Sequence, residues 1–105
     1  MYKGTTPDIV ITLPEEIDLS LANNVYVSIS KSRGKELIRK GTSDLTIDGN
    51  TISLSLSQQE TLGLPDVVEL QANWTYTDIG GAVKRAATDK ARFYIKPNSI
   101  NQVLI

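Results

Sequence analysis

Apolar and polar residues alternate along several short stretches of the chain, and this period of two is typical of half-buried β-strands. The clearest cases are NVYVSIS at residues 24–30, TISLSL at residues 51–56 and VVELQANWTY at residues 67–76. In each stretch one face is therefore predicted to lie in a core while the other faces water. DIVITL and ELIRK predict two shorter strands, and residues 82–96 predict one long final strand.

Turn signals separate these stretches. Asp48-Gly49-Asn50 predicts a tight hairpin, because these residue types tolerate a positive φ, and KSRGK predicts a second hairpin with Gly34 in the left-handed region. About seven short strands without a long helical period predict an all-β fold, an antiparallel immunoglobulin-like β-sandwich. We expect a single domain over residues 1–105, with residues 97–105 as an extended tail.

The stretch SLSLSQQETLGL changes from a period of two to a helical pattern. Ser57 and Glu60 form the S-x-x-E pattern of a capping box, in which each side chain binds the backbone N–H of the other residue. We therefore expect one short helical turn near residues 58–63, ended by Gly63 in the left-handed conformation. The disfavoured alternative is Ser57 as a nucleophile with Glu60 as its base, since the chain has no histidine or other evident activating group.

The composition narrows the chemistry that the chain can perform. Its 105 residues include no cysteine and no histidine. Disulfides, cysteine nucleophiles and thiolate metal sites are excluded, and the usual acid–base group of near-neutral pH is missing. We predict no catalytic residue, no metal site and no cofactor, and the absence of cysteine favours assembly in a reducing cytoplasm.

Charge is unevenly distributed along the chain although the net charge is only −1. Residues 31–40 carry five basic groups and one acidic group, residues 41–80 carry six acidic groups and no basic group, and residues 81–105 carry five basic groups and one acidic group. Pairing of basic strands beside acidic ones is the favoured explanation. The first basic segment contains no aromatic residue and the whole chain is slightly acidic, so we predict no nucleic-acid partner. The apolar runs are too short to cross a membrane, so we predict no membrane partner.

Aromatic and apolar residues provide the candidate contact surface. Tyr26 and Tyr94 lie on the opposite parity from the apolar positions of their strands, so they are predicted to be exposed. Trp74 and Tyr76 share a face with Leu70, which predicts a place in the core. The predicted contact residues are Tyr26, Tyr94, Val103, Leu104 and Ile105, the last three forming an apolar tail that packs on a neighbouring subunit.

Six segments follow one another in an order that resembles a known family. They are MYKGTTPDIVITLPEEIDLS, NVYVSIS, LSQQETLGL, VELQANWTY, RAATDKARFYIK and the short apolar tail. In this order they resemble small immunoglobulin-like structural proteins of bacterial phages and prophages. The chain is also similar to the N-terminal domain of baseplate upper proteins, which attach receptor-binding proteins to the tail tip.

The resemblance implies a non-enzymatic structural or assembly role in the tail, baseplate, neck or capsid of a virion that assembles in the host cytoplasm. The implied partners are other phage structural proteins and further copies of the chain, with no small-molecule ligand. The alternative is a β-sandwich that binds glycans or a cell surface through Tyr26, Tyr94 or Trp74.

Overall fold

Two antiparallel β-sheets pack face to face in the computed structural model, which describes residues 1–104. The strands are β1 (Asp8–Thr12), β2 (Asn24–Lys31), β3 (Glu36–Lys40), β4 (Thr46–Asp48), β5 (Thr51–Ser55), β6 (Val67–Thr77), β7 (Val83–Ala87) and β8 (Ala91–Tyr94). The smaller sheet has the order β1-β5-β4, and the larger has the order β3-β2-β6-β7, with β8 also paired to β6. The predicted all-β antiparallel sandwich is confirmed, with eight strands within residues 1–104 in place of about seven.

The core lies between the sheets and is built from the alternating apolar positions of the longest strands. Its members include Val25, Val27 and Ile29 of β2, Ile52 and Leu54 of β5, and Val68, Leu70, Ala72 and Trp74 of β6. Tyr76, on the same side of β6 as Trp74, is instead 37% exposed. The eleven-residue β6 is longer than the five-residue strands β1 and β5 that cover it, so the end of β6 extends beyond the core.

The prediction of one long strand over residues 82–96 is wrong. Asn73 pairs with Ala87 and Leu70 pairs with Ala91, so three residues of the last segment face only two residues of β6. This is a β-bulge. The hydroxyl of Thr88 accepts a hydrogen bond from the Ala72 N–H at 3.0 Å, and the Thr88 N–H donates to the Ala72 carbonyl at 2.9 Å. The bulge divides the strand into β7 and β8.

The predicted helical turn is confirmed as α1 (Gln58–Leu62), which connects the smaller sheet to the larger one. Gly63 does not adopt the predicted left-handed conformation, since its φ is −81°. Gly63 instead continues the right-handed conformation, and the Leu64 N–H donates to the Thr61 carbonyl. The next residue, Leu64, is buried. No helix within residues 1–104 is long and apolar enough to cross a membrane.

The two predicted hairpin turns differ in outcome. Gly49 has a φ of +58°, as the Asp-Gly-Asn pattern predicts. In the other turn, Arg33 takes the positive φ of 57° that was predicted for Gly34. The Gly34 N–H closes the turn on the Lys31 carbonyl, which leaves Arg33 at the position that requires the left-handed region.

Candidate functional site

The outward face of the larger sheet is the candidate functional site. Successive residues of a strand point to opposite sides, so the strand register decides which side chains meet on this face. Tyr26 lies opposite Asn73, Ser28 lies opposite Gln71 and Arg39, and Thr75 lies opposite Arg85. We call the following eight residues the outer face: Tyr26, Ser28, Glu36, Arg39, Gln71, Asn73, Thr75 and Arg85.

The side chains of the outer face surround a depression of about 390 Å³. Ser28 has the shortest side chain among them, and the longer side chains of Tyr26, Arg39 and Arg85 stand around it. The face therefore offers a concave surface with the Tyr26 ring, two guanidinium groups, the Glu36 carboxylate and several neutral hydrogen-bonding groups. Such a mixture suits contact with another macromolecule.

The two arginines of the outer face differ in their partners. The Arg39 Nε donates to both carboxylate oxygens of Glu36, at 3.0 and 3.2 Å, and this hydrogen bonding raises the pKa of Arg39. The Arg85 Nε and Nη2 both donate to the neutral Asn73 Oδ1, at 3.1 and 3.0 Å. Within residues 1–104 Arg85 makes no ion pair. Asn73 therefore orients the guanidinium group of Arg85 but does not neutralise its positive charge.

The predicted contact residues Tyr26 and Tyr94 share the outward side of the larger sheet. Tyr26 is 39% exposed and borders the depression, and Tyr94 is 64% exposed. Their partners on β6, Asn73 and Val67, are six positions apart. The two rings are therefore separated by roughly 20 Å along the sheet. Trp74 is buried on the other side of β6, so the three aromatic residues do not form one platform.

The predicted apolar tail leaves the sheets and returns to α1. Val103 and Leu104 are each at least half exposed, and Ile105 lies outside the described residues. The Leu104 N–H donates to Gln58 Oε1 at 2.6 Å, and the Leu104 carbonyl accepts from Gln58 Nε2 at 2.9 Å. The Gln58 side-chain amide thus both donates to and accepts from the backbone of Leu104, as a residue of a neighbouring β-strand would.

Sequence reasoning missed three residues of the outer face, Arg39, Asn73 and Arg85. It also missed Gln58, which lies on α1 and binds the tail. Arg39 and Arg85 lie in the two basic segments, so the uneven charge distribution was a signal for them. Their proximity to Tyr26 depends on the register between strands that are distant in sequence, and no local pattern gives that register.

The capping box at the corner between the sheets is confirmed. The Ser57 hydroxyl accepts from the Glu60 N–H at 3.1 Å, and the Ser57 N–H donates to Glu60 Oε1 at 2.9 Å. The other oxygen of Glu60 lies 2.8 Å from Lys40 Nζ, which ties α1 to β3. The carboxylate therefore accepts from the Ser57 backbone N–H, as the capping box requires.

Glu60 gives the corner a pH dependence. Burial by itself would raise the pKa of Glu60, but hydrogen bonds from Lys40 and the Ser57 N–H, together with the Lys40 charge, hold the pKa below its ordinary value of 4.5. The unfolded chain then binds the proton more tightly than the folded chain. The stabilisation is complete above about pH 4.5 and is lost as the pH falls through the folded pKa.

We expect Glu60→Gln to lower the free energy of unfolding by about 1 kcal/mol at pH 7. The difference from wild type should shrink as the pH falls below 4.5, because protonation then removes the same interactions from the wild type. Urea unfolding at a series of pH values measures this. Glu16→Gln, in an exposed loop, is the control and should change little at any pH. A difference for Glu60→Gln that stays constant with pH would contradict the assignment.

Among residues 1–104 no three His, Cys, Asp or Glu side chains gather to hold a metal ion. Comparisons with known protein families, with characterised proteins and with solved structures find no match. The outer face and the fold are the features of the molecule that bear on function.

Proposed function

We propose that the protein is a non-enzymatic structural or assembly component of a phage or prophage particle and that it acts through protein–protein contacts of the outer face. The observation that carries the proposal is the depression bordered by Tyr26, Arg39 and Arg85. Tyrosine and arginine, with tryptophan, are the residue types most enriched among the energetically dominant positions of protein interfaces.

Arg85 is the residue on this face best prepared for a partner. Its guanidinium is already oriented by two hydrogen bonds to Asn73, so binding costs little additional side-chain entropy. Its planar fork suits a carboxylate, and its charge has no counter-ion within residues 1–104. The partner surface is therefore expected to present an acidic group to Arg85 and a flat group to the ring of Tyr26.

The assignment to a particle is supported by the family resemblance of the six ordered segments. A small all-β sandwich with an exposed polar sheet face is compatible with packing among neighbouring subunits. The proposal predicts that the gene lies among head, neck and tail genes. A position among metabolic or regulatory genes would count against it.

Particle composition tests the proposal directly. Prophages of the bacterium that carries the gene would be induced, the particles purified on a density gradient, and the chain quantified by mass spectrometry. We expect the chain to band with the particles at a constant molar ratio to their major proteins. Recovery of the chain only in the soluble fraction, with none in the particle band, would contradict the proposal.

A glycan-binding module is the second candidate. The observation that favours it is the Tyr26 ring beside the planar amides of Gln71 and Asn73, an arrangement that suits a sugar ring and its hydroxyls. A glycan array tests it with wild type and Tyr26→Ala in parallel. Binding that Tyr26→Ala abolishes would support this candidate, and an array without signal at high protein concentration would reject it.

A further inference from the structure

An open groove separates the edges of the two sheets. Strand β1 lies at the edge of the smaller sheet, and β7 and β8 lie at the edge of the larger one. The space between them amounts to about 550 Å³. The apolar side chains that line this groove include Ile9, Ile11, Leu13, Leu70, Trp74 and Phe93. Phe93 is 36% exposed, so the inner face of the larger sheet is incompletely covered here.

The backbone of β1 offers unused hydrogen-bonding groups to this groove. The Leu13 N–H donates to the Asn50 carbonyl and the Leu56 N–H donates to the Pro7 carbonyl, so the odd-numbered residues of β1 face β5. Hydrogen-bonded positions alternate in an antiparallel pair. The N–H and C=O groups of Asp8, Val10 and Thr12 therefore point to the open side, where no strand of residues 1–104 pairs with them.

The segment 97–104 has the chemistry that fits this groove. It contains no charged residue, and its apolar side chains Ile100, Val103 and Leu104 are 49%, 50% and 59% exposed. Two side-chain contacts hold it: the Asn98 side-chain amide donates to the Lys3 carbonyl, and the Gln58 side-chain amide binds the backbone of Leu104. It lies outside both sheets, and residues 100–104 match the five residues of β1 in length.

We propose that residues 100–104 of one copy pair as an added strand with β1 of a second copy and place apolar side chains in its groove. The segment gives up the two hydrogen bonds that Leu104 makes with Gln58 of its own chain. Its backbone then forms new hydrogen bonds with the N–H and C=O groups of Asp8, Val10 and Thr12 of the second copy. Burial of exposed apolar groups on both copies then favours the exchange. Because donor and acceptor surfaces differ, the contact is heterologous and links copies head to tail.

Cysteine pairing tests which segments meet, and the natural chain has no cysteine to interfere. Val10→Cys would be mixed with Leu104→Cys and separately with Val103→Cys, because neighbouring residues of an extended segment point to opposite faces. We expect disulfide-linked heterodimers for at least one of these mixtures. The matched control is Val10→Cys mixed with Ile79→Cys, which is fully exposed, and it should give at least about tenfold less product.

Two outcomes of the cysteine experiment would overturn the proposal. One is equal cross-linking of Val10→Cys with all three partners. The other is an intramolecular disulfide in the double variant Val10→Cys/Leu104→Cys at high dilution, since the groove would then hold the segment of its own chain.

Sedimentation equilibrium of the full chain measures the association itself. Leu104→Asp should weaken it at least about tenfold, because a negative charge would enter a groove lined mainly by apolar side chains. Val10→Pro should also weaken it, since proline removes an N–H that points away from β5. Gln58→Ala should strengthen it by about tenfold by releasing Leu104. Equal association constants for all four proteins, each folded by circular dichroism, would refute the proposal.

This inference is independent of the proposed function. The groove lies between the sheets, whereas the outer face is on the outward side of the larger sheet. Failure of self-association would leave the proposal for the outer face intact, and absence from phage particles would leave the strand exchange intact.

Discussion

Ile52→Ala is expected to lower the free energy of unfolding by about 2–5 kcal/mol. Ile52 is fully buried in β5, where it pairs with Ile11 on one side and with Ile47 on the other. The substitution removes buried apolar surface and leaves a cavity that the surrounding strands fill only partly. Domains of this size have roughly 5–15 kcal/mol of stability, so the loss is a large fraction of the whole.

Urea unfolding followed by the fluorescence of Trp74, the single tryptophan, measures this effect. Ile79→Ala is the matched control, because it makes the same chemical change in a fully exposed turn residue. The control should alter the free energy of unfolding by less than about 0.5 kcal/mol. Equal effects of the two substitutions would contradict the assignment of the core.

Arg85→Glu is expected to weaken the proposed contact of the outer face with a particle protein by about 30-fold or more, the size of a typical hot-spot effect. The substitution removes the two donors that Asn73 orients and places a negative charge where an acidic partner group is expected. The fold should be unaffected, because Arg85 is exposed and makes no ion pair within residues 1–104.

Competitive incorporation into particles measures the effect of Arg85→Glu. Wild type and variant would be produced together with distinguishable tags and counted in purified particles by mass spectrometry. Lys35→Glu makes the same change of charge at the exposed hairpin between β2 and β3, and it should be incorporated like wild type. Equal incorporation of Arg85→Glu and wild type would contradict the role of the outer face.

Local sequence patterns predicted the parts of the fold that local chemistry decides. The alternation in β2, β5 and β6 gave the correct buried face, because a side chain on a strand has only two sides to choose between. The capping box was equally local, since Ser57 and Glu60 are three residues apart. The bulge before β8 was missed because it depends on Thr88 replacing a ladder partner of Ala72, which is distant in sequence.

The candidate site was predictable only in part, because it depends on contacts between residues that are distant in sequence. Parity alone placed Tyr26 and Tyr94 on the outward side, but the roughly 20 Å between them follows from the register on β6. The approach of Arg39 and Arg85 to Tyr26 needs three separate strand pairings to be known. The return of Leu104 to Gln58 is likewise a contact between distant parts of the chain.

Photo-crosslinking in assembled particles tests the central claim, that the outer face is a contact surface in a phage particle. Tyr26 would be replaced by p-benzoylphenylalanine, and Ile79 by the same amino acid as the exposed control. Particles would be purified, irradiated and examined by mass spectrometry. We predict a defined cross-link from position 26 to one other particle protein and little product from position 79. Particles that contain the chain but give no cross-link from position 26, or equal products from both positions, would contradict the claim.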